Sequence, residues 1–241
     1  MTANRSSAVM QQRAEAHDSL DDFPTPPWAT RALMDILEGQ GESLHLCHVW
    51  EPACNRGHMA KVLAERFDRL FATDVHDYGW PRQDAVADFL IDWSQDAPDV
   101  DWIITNPPFR LAEDFITQGL RLAKRGVAVL VRTSFIESQG RFERLFRDTP
   151  PQLVCPFVER VVMWKNVLLD PDVPIMRVND ANPKLQKPTS ATSYAWLVWM
   201  HGRFGYHPKL IWVPPHRATL TRPGDYPPVP DHLRPPVGEL L

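Results

Sequence analysis

Val100-Asp101-Trp102-Ile103-Ile104-Thr105-Asn106-Pro107-Pro108-Phe109 is the stretch from which the fold can be read. Its first six residues are largely β-branched or apolar and predict a strand. The two prolines end that strand at once, because neither can donate to a central ladder. Leu111, Phe115, Ile116, Leu120 and Ala123 follow at helical spacing, Gly126 punctuates, and residues 127–131 predict a second strand, apolar enough to be buried on both faces. Strand, helix and strand in this order form a βαβ unit, the building block of a parallel sheet covered by helices.

The same alternation extends upstream. Residues 45–53 predict the first strand. A turn containing Gly57 leads to a helix through about residue 67, with Met59, Val62, Leu63 and Phe67 on one face. Residues 70–75 predict a second strand ending in Asp74, and a short third strand is expected around residues 86–91. Ahead of them, residues 28–38 place Leu33, Ile36 and Leu37 on one helical face. Thr25-Pro26-Pro27 is the start signal of that helix, and Gly39 and Gly41 stop it. Downstream, residues 138–148 read as a helix, 152–163 as a strand and 194–200 as the last strand. The predicted organisation is an N-terminal leader over 1–22, a main domain over 23–200 and a Pro-rich extension over 201–241. Residues 166–193 form an insertion too long for an idle loop and are a candidate recognition segment.

Composition narrows the classes. A chain of 241 residues with 44% apolar and 23% charged residues can bury an ordinary α/β core and is not a disordered chain. No apolar run approaches the roughly 18 residues a membrane helix needs. The three cysteines, Cys47, Cys54 and Cys155, have no C-x-x-C spacing, which argues against a disulfide framework and a four-ligand zinc site. With the polar leader, they suggest a cytoplasmic location. His45, Cys47 and His48 alternate across a predicted strand and His58 lies beyond the turn, so no metal is expected. Net charge is −4, yet between Arg121 and Lys165 nine positive side chains face four negative ones. That bias describes either a solvated helix face or a phosphate-binding surface. Ser-His-Asp logic, a phosphate-binding G-K-S loop and a G-x-G-x-x-G hydride-cofactor turn are all lacking.

Asn106-Pro107-Pro108-Phe109 therefore carries the chemistry, since ligands of open α/β sheets bind at the carboxyl ends of strands. The prolines let the Asn106 side-chain oxygen and the Pro107 carbonyl converge on one point, and Phe109 offers a flat apolar face. Two acceptors and an aromatic wall suit a planar amine, holding its NH2 so that the lone pair turns toward an electrophile.

With these residues the chain resembles the S-adenosylmethionine-dependent amino-group methyltransferases, above all the N6-adenine DNA methyltransferases with their (N/D/S)PP(Y/F/W) motif, over residues 23–200. Glu51-Pro52-Ala53-Cys54-Asn55-Arg56-Gly57 is similar to the family's first motif, except that Asn55 stands where a glycine is common. Asp74 matches the acid that takes the ribose hydroxyls, and Asp88-Phe89 the pair flanking the cofactor adenine. Asp22-Phe23-Pro24-Thr25-Pro26 is similar to the segment that holds the methionine end. The resemblance implies a Rossmann-like class I fold with a largely parallel seven-stranded sheet and helices on both faces, and S-adenosyl-L-methionine as cofactor. It places Phe23, Thr25, Pro26, Glu51, Pro52, Ala53, Cys54, Asn55, Gly57, Asp74, Asp88, Phe89 and Asn106 around that cofactor, and makes Asn106, Pro107, Pro108 and Phe109 catalytic.

The implied partner is duplex DNA with a flipped adenine, and neither a membrane nor a metal is called for. Only 32 residues separate Asp74 from Asn106, so a recognition element belongs downstream. Arg132, Arg141 and Arg144 are candidates for phosphates and Trp164 for the target base, whereas Trp196 and Trp199 belong to the core. Related motifs serve methylation of ribosomal or transfer RNA and of glutamine amides. Asn55 also leaves room for a catalytically silent binding protein.

Overall fold

Local chemistry sets the elements, and burial of tryptophan-rich faces assembles them. The computed structural model describes residues 21–93, 96–176, 184–202 and 207–235. The leader expected over 1–22 lies outside them apart from Asp21 and Asp22, as does the middle of the insertion, residues 177–183.

Helix α1 (Pro27–Gly39) starts with proline at its first position, where no amide is needed, and buries Trp28, Leu33, Met34 and Leu37. Strand β1 (His48–Glu51) is shorter than expected. A 3-10 turn over Leu44–Leu46 precedes it, with the Cys47 N–H donating to the Leu44 carbonyl, and Pro52 follows it. The expected alternation of His45, Cys47 and His48 across one strand is therefore corrected.

Helix α2 (His58–Leu63) and strand β2 (Arg69–Asp74) come next, and strand β3 (Ala85–Val86) is only two residues long. Strand β4 (Trp102–Thr105), helix α3 (Ala112–Leu122) and strand β5 (Gly126–Arg132) are the predicted βαβ unit. The helix expected over 138–148 is one turn, α4 (Gln139–Arg141), running into a π turn over Phe142–Phe146. Strand β6 (Leu153–Pro156) stops well before residue 163, with one further bridge from Phe157 to Val213. The insertion contains a small hairpin, β7 (Ile175–Met176) with β8 (Leu185–Gln186). Strand β9 (Tyr194–Met200) is buried throughout, and β10 (Lys209–Leu210) and α5 (Arg217–Leu220) belong to the extension.

The main sheet has the order β10-β6-β9-β5-β4-β1-β2-β3. Pairing is parallel from β3 to β5, and β9 enters antiparallel between β5 and β6, in register from Gly126 against Met200 to Arg132 against Tyr194. Among the described residues the sheet has eight strands rather than seven. The eighth, β10, is supplied by the Pro-rich extension and lies parallel to β6. Trp196 and Trp199 are core residues whose indole N–H groups donate to the Ala29 and Thr149 carbonyls, at 3.0 and 2.9 Å.

The extension is tied to the main domain by Arg31, whose side chain is 2% exposed. Its guanidinium donates to both carboxylate oxygens of Glu65, both of Asp225 and the Leu220 carbonyl, at 2.6–3.0 Å. A buried guanidinium needs such complete pairing to offset its lost hydration.

Candidate active site

The carboxyl ends of β1, β2 and β4 open onto one cleft with a cavity volume of about 180 Å³. Glu51 ends β1, Asp74 ends β2 and Asn106 follows β4, so three strand ends deliver three polar side chains to the same space.

The turn after β1 is built to approach a ligand closely. Asn55 has a φ of 49° and Gly57 a φ of 75°, both left-handed. Asparagine tolerates that region when its side chain finds local partners. Here Asn55 Oδ1 accepts the Arg56 N–H at 2.6 Å, and its Nδ2 donates to Asp22 Oδ1 at 2.7 Å. This accounts for an asparagine in a position that glycine could fill. Gly57 has no such freedom, because a Cβ there would lie 2.2 Å from the Trp80 indole. Asp74 holds the turn from below, accepting the Asn55 N–H at 2.9 Å and the His76 N–H at 3.0 Å.

The electrostatics are acidic. Asp21, Glu51, Asp74 and Asp88 line the cleft, and no Lys or Arg does so among the described residues. Burial, reinforced by the nearby Asp74 charge, pushes the Glu51 carboxyl well above the usual carboxylate range, and its Oε2 has no hydrogen-bond partner. Burial also raises Asp74, against the two backbone N–H groups that stabilise its charged form. His58, on the wall, is pushed down to about 4 by burial and by the Lys61 and Arg56 charges. Phe89, Leu90, Leu111, Phe115 and Met59 supply the apolar lining.

Asn106 is the pivot of the other end. Its Nδ2 donates to the Phe23 carbonyl at 3.0 Å, and because that carbonyl can only accept, the amide orientation is determined. Asn106 Oδ1 is then left buried with no partner among the described residues, on a side chain that borders the cleft. The Phe109 N–H donates to Asp21 Oδ2 at 2.9 Å, and the Phe23 and Phe109 rings are 5.4 Å apart.

Of the predicted residues, Phe23, Thr25, Glu51, Pro52, Ala53, Cys54, Asn55, Asp74, Asp88, Phe89, Asn106 and Pro108 converge on the cleft. Pro26, Gly57, Pro107 and Phe109 are not among its lining residues. Asp21 and Asp22, assigned to a loose leader, are structural members of the site. Asp22 is buried, and both its carboxylate oxygens accept from Arg56 at 2.8–3.0 Å. His58, Met59, Val75, Tyr78, Leu90, Leu111 and Phe115 also line the cleft without having been singled out for it; they lie at the starts of α2 and α3 and in the loops that follow β2 and β3.

The predicted substrate residues lie elsewhere. Arg144 forms a two-pronged bond to Glu113 at 2.7 and 2.8 Å, and Arg141 donates to the Phe135 carbonyl and stacks over the Phe135 ring. Trp164 donates to the Thr189 carbonyl at 3.2 Å and packs beside Leu169, Ile175 and Leu233, bracing the insertion. Arg132 lies over the Phe109 ring, 3.8 Å from its centre. Among the described residues, no group of three His, Cys, Asp or Glu side chains could hold a metal, and no helix is long and apolar enough to cross a membrane.

No protein-family model and no curated protein matches the sequence. Solved structures do match in shape. A Listeria monocytogenes protein described as a class I S-adenosylmethionine-dependent methyltransferase superposes with a TM-score of 0.56 at 14% identity, over 90% of this chain and 72% of that one. The methyltransferase subunit of a type I restriction-modification system from Streptococcus thermophilus gives 0.53 at 11% identity, over 85% of this chain and 50% of its own. A Vibrio vulnificus protein described as the modification subunit of a type I restriction enzyme gives 0.50 at 16%, over 86% and 50%. The chain thus spans about half the length of these two subunits. Strand order, the antiparallel β9 and these superpositions together establish that the chain has the Rossmann-like fold of the class I S-adenosylmethionine-dependent methyltransferases.

Proposed function

We propose that the protein transfers a methyl group from S-adenosylmethionine to the N6 amino group of adenine in DNA. The observation that carries this reading is the buried, unpartnered Oδ1 of Asn106, oriented by the Phe23 carbonyl on its other side. A buried acceptor without a partner costs about 1–3 kcal/mol, and a substrate N–H would recover it.

The cleft fits the cofactor by charge. A lining of Asp21, Asp74, Asp88 and Glu51, with no Lys or Arg among the described residues, disfavours a diphosphate and suits the sulfonium and ammonium of this cofactor. Asp74 and Asp88 offer acceptors for hydroxyl and amino groups, Glu51 brings a carboxyl that burial shifts toward its protonated form, and Phe89, Leu90 and Phe115 offer an apolar slot for the adenine. When bound, S-adenosylmethionine supplies an electrophilic methyl and leaves as the neutral thioether.

The chain's own residues then act on the amine. Asn106 Oδ1 accepts one N–H and the Pro107 carbonyl the other, which turns the nitrogen lone pair out of the ring plane. Phe109 supplies the face on which the ring lies, and Asp21 keeps Phe109 in place through its backbone N–H. After transfer the nitrogen sheds one proton to solvent. DNA is favoured over RNA or a glutamine amide because two of the structural neighbours are modification subunits of restriction systems.

Labelled S-adenosylmethionine offered to unmethylated DNA, total RNA and cell protein tests the reading. Labelled N6-methyladenine in DNA is expected, and Asn106→Ala should lower its rate by about 10²–10³-fold with cofactor affinity retained. Label confined to RNA or protein would overturn the substrate, and cofactor binding without transfer to any of them would leave a silent binder.

A further inference from the structure

Phe109 is held on several sides. Its N–H is taken by Asp21, the Phe23 ring stands 5.4 Å away and the Tyr194 ring 6.5 Å away. The guanidinium of Arg132, the last residue of β5, lies over its ring with Cζ 3.8 Å from the centre.

Among the described residues, Arg132 is not paired as a structural arginine would be. Its Nε is buried without a partner. Arg31, by contrast, makes five hydrogen bonds to Glu65, Asp225 and Leu220. Fold assembly has satisfied Arg31 in full and left Arg132 held chiefly by the π face of one ring. A guanidinium is flat, edged with N–H groups and able to stack, so it has the shape of the ring edge that the Asn106–Phe109 segment suits.

We propose that Arg132 occupies, in the free enzyme, the place over Phe109 that the target ring takes during transfer, and that it leaves when that ring enters. The inference rests on the reading of Phe109 as the stacking wall for an amino-bearing ring. Entry exchanges one stacked plane for another and releases a cation whose Nε was unsatisfied. A phosphate beside the target can pair with the freed guanidinium, whereas a free nucleoside brings none. Arg132 thereby favours a base within a strand over the same base alone.

Adenosine and a short adenine-containing single strand are titrated into the cofactor-loaded wild type, Arg132→Ala and Arg132→Lys. Loss of the stacked cation should raise adenosine affinity in the alanine variant by about 2- to 30-fold. The preference for the strand over adenosine should fall, and lysine, which keeps the charge without the plane, should restore part of it. In the wild type, the Arg132 Nε–H resonance, shifted upfield by the Phe109 ring, should move downfield as adenosine binds. An unmoved resonance at saturating adenosine, or an alanine variant that binds adenosine no better, overturns the inference and leaves methyl transfer to adenine intact. A wild type that labels no adenine in any nucleic acid overturns the underlying reading, and the inference with it.

Discussion

The cleft and the basic segment beside it carry opposite charges and spend them differently. In the cleft, carboxyl groups face open space with no cation among the described lining residues. In the basic segment, most of the cations are engaged by the chain itself. Lys124 pairs with Asp99, Arg125 with Glu42 and Arg144 with Glu113, while Arg141 and Arg160 donate to backbone carbonyls. A charge excess counted along a sequence is therefore no measure of the charge left for a ligand. The acidic lining faces whatever binds there, whereas three cations of the basic segment are neutralised by carboxylates of the chain itself and two more are fixed by backbone carbonyls.

That contrast can be broken first at its most buried cation. Arg31→Ala should cost about 3–5 kcal/mol in urea denaturation, because Glu65 and Asp225 lose their buried partner. A loss below roughly 1 kcal/mol would show that the extension is held by other contacts.

The turn under the acidic cleft is the next target. Gly57→Ala should cost about 2 kcal/mol or more, from a left-handed φ combined with a collision against Trp80. Thermal denaturation of the Gly57→Ala, Trp80→Ala pair separates the two causes, since only the collision is relieved in the double variant. Equal penalties with and without Trp80 would leave the backbone angle as the whole cause.

His58 tests the electrostatics of the wall. Its pKa is pushed down from 6.5 to about 4, so the unfolded chain binds the proton more tightly than the folded one. Above pH 6.5 it is neutral in both states and contributes nothing. As pH falls toward 4 the fold loses stability on its account. His58→Gln should remove this loss, gaining roughly 1–3 kcal/mol on the wild type near pH 4 and nothing near pH 8. Parallel stability curves across that range would contradict the burial of His58.

The smallest effect is expected on the basic face. Arg144 is 64% exposed and bonded to Glu113. Arg144→Ala should change stability by less than about 1 kcal/mol and nucleic-acid affinity by less than about twofold, with an unaltered salt slope. A shallower salt slope would return Arg144 to the phosphate-binding role that its sequence position suggested.

How much was legible depends on how local the cause is. Strand β9 matches its expected range and β5 exceeds its own by one residue at each end, because residues 127–131 and 194–200 are apolar enough to be buried throughout. The end of β4 is dictated by Pro107 and Pro108, which cannot pair in a ladder. Twelve of the expected site residues meet at the cleft because they sit at strand ends or on the turns between them. Strands β1, β3 and β6 were overestimated, since apolar residues beside a strand also serve 3-10 turns and loops packed on the core. Asp21 and Asp22 lie in a polar stretch that resembles a tail, and only the bonds to Phe109, Asn55 and Arg56 distinguish them.

By itself, then, the sequence determined the α/β alternation, the presence of a turn at Gly57 and the placing of Asn106 at a strand end, all consequences of residues within a few positions of one another. Tertiary structure decided the rest. It placed β10 on the sheet edge, joined Arg31 to Asp225 across 194 positions, gave Arg144 to Glu113 and laid Arg132 on Phe109. Those choices depend on which distant segments the closing sheet brings within about 4 Å, and periodicity along the chain carries no information about that distance.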